Sequence, residues 1–425
     1  MSADSPSLPP SFPPSLRLSR TAWLIVALLV PVALLNYLDR QLLAAMKLSV
    51  MRDVPTIGSE ANWGFLPAVF KWVYAILSPF AGYIADRFGY RRVIGVSLCV
   101  WSVVTWATGH CETFNQLLAT RALMGISEAF YIPAALALIA NFHTDATRSR
   151  AVGLHQTGIY CGVIIGSFSG YAADHPAIGW RGAFDICGLA GILYTIPLLL
   201  LLKNPPQAAG YHAERTSLPA AARELFSSWS FICLVLIFTL VAIPAWVVRD
   251  WMPAILQQKF NISQGRAGVS ATLYWQLAAI VFAFFGGWLA DRWMQRTPRA
   301  RTYVSAIGIA CIVPALFGLG YAPSVGVAIG FLILFGAGWG FFDTNNMPIL
   351  SQIARPGLRA TGYGLMNLVS ISAGGFADWT FGVLRDRDVS LGIIFGAFAL
   401  LAAVSIALVL MIRPRNTESH SHDPV

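Results

Sequence analysis

Charge is what this chain is short of. Only 12% of its 425 residues are Asp, Glu, Lys or Arg while 56% are hydrophobic, and a soluble domain usually carries about 25% charged residues. A surface so poor in charge faces lipid. The chain also lacks any Gly-x-x-x-x-Gly-Lys-Ser/Thr phosphate loop, since no Gly-Lys dipeptide occurs in it; this excludes an ATP-driven pump of that kind and leaves a gradient as the energy source. No Cys-x-x-Cys spacing exists: Cys99, Cys111, Cys161, Cys187, Cys233 and Cys311 lie in or beside apolar runs. They read as packing residues, not as a metal site or disulfide framework. No His-x-x-x-His pair or Ser/His dyad sits at depth, so neither an enzyme nor a cofactor is expected. The net charge of +9 is scattered over the ends of apolar runs, with no basic stripe interleaved with aromatics, which argues against nucleic acid as a partner.

What the chain has is apolar runs long enough to cross a bilayer, about 20 residues each. Twelve are expected: Trp23–Met46, Trp63–Ala85, Val93–Thr108, Phe114–Ala140, Val152–Ala173, Gly182–Leu202, Phe231–Leu256, Ala267–Ala290, Tyr303–Gly320, Val325–Leu350, Gly362–Thr380 and Val389–Ile412. The first is too long for a signal-peptide core and is expected to stay as a span. The reading is an all-α membrane protein divided into a disordered Pro- and Ser-rich N-terminus (1–20), a six-helix half (21–203), a polar linker (204–228), a second six-helix half (229–412) and a polar tail (413–425), in which His420 and His422 are simply solvated.

The loops alternate in charge. One set holds Arg17, Arg20, Arg87, Arg91, Arg92, Arg148, Arg150, Lys203, Arg215, Arg223, Arg292, Arg296, Arg299, Arg301, Arg355, Arg359, Arg413 and Arg415; the other holds far fewer: Lys47, Arg52, Arg181, Lys259, Arg266, Arg385 and Arg387. The positive-inside rule then puts both termini and the linker in the cytoplasm. The expected location is the cell membrane, a bacterial inner membrane, as a monomer.

The chain also repeats itself. Gly82-Tyr-Ile-Ala-Asp86-Arg87 recurs as Gly287-Trp-Leu-Ala-Asp291-Arg292, and Arg150-Ala-Val-Gly153 recurs as Arg359-Ala-Thr-Gly362. Two parallel six-helix repeats follow, and such halves enclose a site near the midplane.

With Gly89, Arg91 and Arg92, the first of these motifs resembles the signature loop of the major facilitator superfamily, and Arg121-Ala-Leu-Met-Gly125 matches a second superfamily motif. Within it, Asn36-Tyr37-Leu38-Asp39-Arg40, Phe70-Lys71-Trp72-Val73-Tyr74, Gly125-Ile-Ser-Glu128-Ala129 with Pro133, and Trp251-Met-Pro253 resemble the anion:cation symporters. That resemblance implies proton-coupled symport of a sugar acid or other carboxylate by alternating access. Lys71 and the Arg249-Asp250 pair depart from the family pattern. The Asn-Tyr-x-Asp-Arg and Gly-x-x-Glu-Ala segments are also similar to the Spinster-like branch of lipid transporters. Uncoupled facilitation of a small solute is a further alternative.

Ionisable residues inside a membrane cost about 2.5–3.5 kcal/mol each on insertion scales and need a partner or a function. Asp39, Arg40, Lys71, Arg121, Glu128 and Asp343 qualify. Arg40 shares a helix face with Asn36 and Tyr37, and its planar fork suits a carboxylate; the plain alternative is an ion pair with Asp39 or Glu128. Asp39 and Glu128 are the acids to which the resemblance assigns proton coupling, and for Glu128 a fixed pair with Arg121 is the alternative. Lys71, Tyr74, Gln156, Asn346 and Asn367 are candidate substrate contacts, with His155, Tyr160 and Asn345 as further polar lining. The resemblance implies a conformational latch at Gly82, Asp86, Arg87, Arg91, Arg121, Asp291 and Arg292.

Overall fold

The computed structural model describes residues 14–143, 145–204 and 218–413, which form seventeen α-helices and no strand. The N-terminal and C-terminal segments and most of the linker, with Arg215, His420 and His422, lie outside these residues, as does the side chain of Asp86.

In the first half, α1 (Pro14–Ala45) bends at Met46 into α2 (Lys47–Asp53), and α3 (Glu60–Leu77) passes through a tight turn at Ser78–Phe80 into α4 (Ala81–Phe88). There follow α5 (Tyr90–Thr108), α6 (Phe114–Glu128) with α7 (Tyr131–Phe142), α8 (Asp145–Ser167) with α9 (Ser169–Asp174), and α10 (Gly179–Leu201). A short α11 (Leu218–Phe226) precedes the second half: α12 (Trp229–Phe260), α13 (Gln264–Met294), α14 (Ala300–Tyr321), α15 (Val325–Ile353), α16 (Arg359–Asp386) and α17 (Leu391–Met411). Pro79 and Pro133 account for two of the broken spans, because proline withholds an N–H and crowds the preceding turn.

Nine of these stretches are long and apolar enough to cross a membrane by length and composition. The three that complete the twelve crossings carry charge: Glu60 and Lys71 in α3, Arg91 and Arg92 in α5, and Arg359, Asp378, Arg385 and Asp386 in α16. Several helices outrun the expected spans for the same reason, because hydropathy stops at a charge whereas a paired charge lets the helix continue. In α16 the helix passes Thr380 to reach Asp386.

Small residues let the helices approach closely. Gly158, Gly162 and Gly166, four residues apart on α8, lie against the backbone of Val30, Leu34 and Leu38 on α1. Five helices that start on one face open with a hydroxyl cap: Ser59 accepts from Asn62 N–H, Thr113 from Gln116, Ser263 from Arg266, Ser324 from Val327 and Ser390 from Ile393. These are the starts of crossings two, four, eight, ten and twelve, as an up-and-down topology requires.

The halves meet towards this capped face. The Asp386 carboxylate, at the end of α16, accepts from the N–H groups of Glu60 (2.8 Å) and Ala61 (2.9 Å) at the start of α3. Its counterpart, Asp174 at the end of α9, accepts from Gly265 N–H (2.8 Å) at the start of α13. Each half thus places a carboxylate on a helix N-terminus of the other, where the helix dipole favours negative charge. Gln41 donates to Thr272 (3.3 Å), Gln264 donates to Ser49 (2.5 Å), and Trp72 donates to the carbonyl of Ser372 (3.1 Å). At the opposite, basic ends, the backbones at Gly153 and Gly364 have open space around them.

Gly64 is a point of close approach between the halves in this closure. A methyl group built there would collide with the carbonyl of Asp378 across the interface. Gly64→Val is therefore expected to prevent the capped face from closing and to lower transport at least tenfold, while the purified protein stays folded, since the overpacking cost of about 1–3 kcal/mol is escaped by separating the halves. Labels on the two halves should report a longer distance across that face; an unchanged distance contradicts the need for a glycine at this contact.

Candidate functional site

Along α1, Asn36 and Asp39 are buried and Arg40 reaches into the space between halves. Arg40 Nε donates to Glu128 Oε2 at 2.7 Å, and Glu128, at the end of α6, is fully buried. The guanidinium lies over three rings, Tyr37 at 4.7 Å, Phe70 at 4.9 Å and Tyr74 at 4.9 Å. Cation–π contact with rings at this range is favourable when desolvated. Its Nη2 and Glu128 Oε1 are buried without hydrogen-bond partners. Asp39 accepts from Thr105 Oγ1 at 3.0 Å, so the acids anticipated for proton coupling sit at adjacent positions of one buried cluster. Glu128 pairs with Arg40 and not with Arg121.

Arg121 is the main correction to the expected latch. It is buried within α6, where its Nη2 donates to Thr108 Oγ1 at 2.9 Å, and it borders the same cavity as Arg40. Its motif position does not bring it to the surface with Arg87 and Arg91. Arg87 is exposed and reaches Tyr83 OH at 3.4 Å, and Arg91 N–H donates to Asn204 Oδ1 at 2.8 Å. In the second half Asp291 pairs with Arg301 of its own half at 2.7 Å, and Arg292 lies near Trp288. Gly82 and Asp86 lie on α4, and the Asp86 side chain is outside the described residues.

Lys71 does not stand free for a substrate. Its ammonium bonds Asp250 of α12 at 2.5 Å and also Asp378 of α16. His155 likewise turns inwards, its Nε2 lying 2.9 Å from Tyr131 OH, which donates to the carbonyl of Leu29. Gln156 and Tyr160 instead line a cavity of about 130 Å³ with Tyr37, Arg249, Gln276, Trp339 and Asp343. Asn346, buried beside it, approaches Asp343 at 3.4 Å. Asn345 is spent on the carbonyl of Phe341 (2.9 Å), and Asn367 is half-buried on α16. A narrower cavity, about 40 Å³, is bordered by Arg40, Lys71, Arg121 and Arg249 with Asp250.

Two of these residues were not read as site residues from the sequence. Arg249 borders both cavities, lies 5.9 Å from the centre of the Tyr37 ring and 5.2 Å from that of Trp246, and has no carboxylate at ion-pair distance among the described residues. Asp378, fully buried, is a charge inside an apolar run and so carried the same signal as Glu128.

The Major Facilitator Superfamily profile matches residues 29–377. The chain belongs to the major facilitator superfamily. It is a multi-pass membrane protein with the superfamily fold of two six-helix halves, in a family of transporters and not of enzymes. It is 29% identical to Protein spinster of Drosophila melanogaster over 74% of this chain, which spans about half (53%) of that relative's length. It is 26% identical to the Probable L-galactonate transporter of Escherichia coli over 94% of this chain and 91% of that protein. Among solved structures it is similar to a bacterial homologue of the human lysosomal transporter Spinster, inward-facing and occupied, with a TM-score of 0.76 at 19% identity, covering 91% of this chain and 96% of the other. A D-xylose–proton symporter superposes with a TM-score of 0.72 at 16% identity over 92% and 97%.

Proposed function

We propose that the chain carries a small organic anion, a sugar acid or comparable carboxylate, together with protons across the cell membrane by alternating access. The observation that supports this reading best is a pair of arginines from different halves, Arg40 on α1 and Arg249 on α12, that both reach Tyr37 at the cavity between the halves. Arg40 is held by Glu128, so an arriving carboxylate meets Arg249 first, with Gln156, Tyr160, Gln276 and Asn346 near enough to receive hydroxyls. Arginine suits this task because its fork binds a carboxylate through two parallel hydrogen bonds. The likeness to a protein named for L-galactonate, a sugar acid, over nearly the whole chain supports the same class.

The basic loops belong in the cytoplasm on this reading, so the capped face where the halves meet is external and the protein faces inward. Reporter fusions at Arg215 and Arg415 are expected to give a cytoplasmic signal at both; an external signal at either refutes the orientation.

Counterflow into proteoliposomes against sugar acids, monocarboxylates and lysolipids tests the substrate class. Sugar acids or other carboxylates are expected to exchange, and Arg249→Gln to raise the half-saturating concentration about tenfold or more, the effect of losing a charge-assisted bond of about 1.5–3 kcal/mol. Exchange of lysolipids alone would instead favour a Spinster-like lipid transporter, the second reading, which rests on the likeness to Spinster proteins.

A further inference from the structure

Where the halves meet, three charged side chains from three helices share one point. Lys71 of α3 bonds Asp250 Oδ2 of α12 and Asp378 Oδ2 of α16 with a single ammonium. The two carboxylates therefore stand within about 5 Å of each other, twice hydrogen-bond reach. An ammonium has three donors and one positive charge, so the cluster with both acids ionised holds one uncompensated negative charge. Lys71 and Asp378 are buried, Trp246 covers the ammonium at 4.3 Å, and Asp378 Oδ1 is enclosed without any hydrogen-bond partner. Two carboxylates confined together do not both ionise without a second cation.

Among the described residues, no neighbouring charge supplies that cation. From α12, Arg249 lies beyond ion-pair distance of both acids and faces Trp246 and Tyr37. From α1, Arg40 is taken by Glu128 of α6. From α6, Arg121 bonds Thr108. Lys47 and Glu60, nearer the capped face, pair with each other. The repeat sharpens the point. In the register that aligns Gly82 with Gly287 and Gly153 with Gly362, Lys71 and Asp378 correspond to Gln276 and Ser169, both neutral. The charged cluster is thus an addition to one side of a two-fold scaffold.

We propose that Lys71, Asp250 and Asp378 form a proton-binding gate: closing the face where the halves meet takes up one proton, held between the two carboxylates, and opening it returns that proton to the same side. Lys71 lies in one half and both acids in the other, so the cluster exists only while that face is closed. When the face opens, each group is hydrated separately and the acids share no charge-compensation problem. One proton moves from water to a carboxylate oxygen on closing and back on opening, and nothing else is consumed. This proton is not carried across, which separates it from any proton on Glu128. The consequence is a conformational equilibrium set by the pH on the gate's own side.

Spin labels at Ala177 and Gln258, both exposed near the capped face in opposite halves, read this equilibrium as a distance in a cysteine-free full-length chain in nanodiscs. The ratio of closed to open molecules is expected to fall with rising pH, approaching on the order of tenfold per unit, the slope for one proton bound in only one state. Asp378→Asn leaves one carboxylate for one ammonium and is expected to hold the face closed at every pH. Asp250→Asn should do the same, and carries the test if the first variant does not fold. A distance distribution in the parent chain that ignores pH, a slope that survives neutralisation of either acid, or a distribution that follows sodium against choline instead of pH would each overturn the proposal.

Discussion

Arg40→Lys is expected to abolish saturable substrate binding, or to weaken it by roughly 30-fold to several thousand-fold, the range corresponding to about 2–5 kcal/mol for truncating one member of a buried charge pair. The substitution keeps the charge and removes the geometry. Arg40 Nε already donates to Glu128 while Nη2 is buried without a partner, so the guanidinium holds the acid with one edge and has another in reserve. A lysine ammonium is a single point on a flexible stem, and it lacks the second edge on which an anion can engage the guanidinium before Glu128 gives it up. Nor does it stack: the planar guanidinium lies 4.7–4.9 Å from the centres of the Tyr37, Phe70 and Tyr74 rings. Binding of the carried anion to purified protein, with thermal unfolding as the control for folding, measures the effect. Unchanged affinity in a folded variant rules out Arg40 as the anion's anchor.

Much of this arrangement was legible in the sequence because membranes make charge expensive. Asp39, Arg40, Lys71, Arg121, Glu128 and Asp343 stood out as ionisable residues inside apolar runs, and the repeated glycine and Asp-Arg motifs gave the two halves. Their partnerships were not legible. Arg40 and Glu128 lie 88 residues apart, and nothing local distinguishes that pair from Arg121 with Glu128, which share a helix. Lys71 looked available to a substrate because its partners Asp250 and Asp378 are 179 and 307 residues away.

Asp378 was passed over for a further reason. It stands two residues before an expected helix end at Thr380, where a charge reads as the boundary itself. The helix continues to Asp386 because the charges beyond that point are engaged: Arg385 donates to the carbonyl of Val389, and Asp386 caps α3. Hydropathy finds the apolar middle of a span and misjudges ends whose charges are paired across an interface. Arg249 was visible as a departure from family pattern, but its place at the junction of two cavities depends on how α12 packs against α1.

Glu128→Gln is the most informative of the expected results, because it separates movement of substrate from its energy source. Glu128 is fully buried at the end of α6 with Arg40 as its counter-charge. A substrate carboxylate that takes the guanidinium leaves Glu128 as a buried anion without compensation, a condition worth several kcal/mol, and a proton from the accessible side removes it. Anion and proton are then bound together, and the loaded cavity is less charged when the halves rock. Glutamine imitates the protonated acid. It leaves Arg40 free for the anion in every cycle, so exchange of labelled for unlabelled substrate should persist, while accumulation driven by an inward proton gradient should fall to the level without a gradient. Some stability is lost, since Arg40 no longer has its ion pair, but its side chain remains 15% exposed to the cavity, where water and substrate reach it. Asp39→Asn, which keeps a partner for Thr105, is expected to weaken accumulation in the same direction. Gradient-driven accumulation surviving in both variants would exclude these acids as the coupling site and leave facilitation, or coupling to another ion, as the account of the transport cycle.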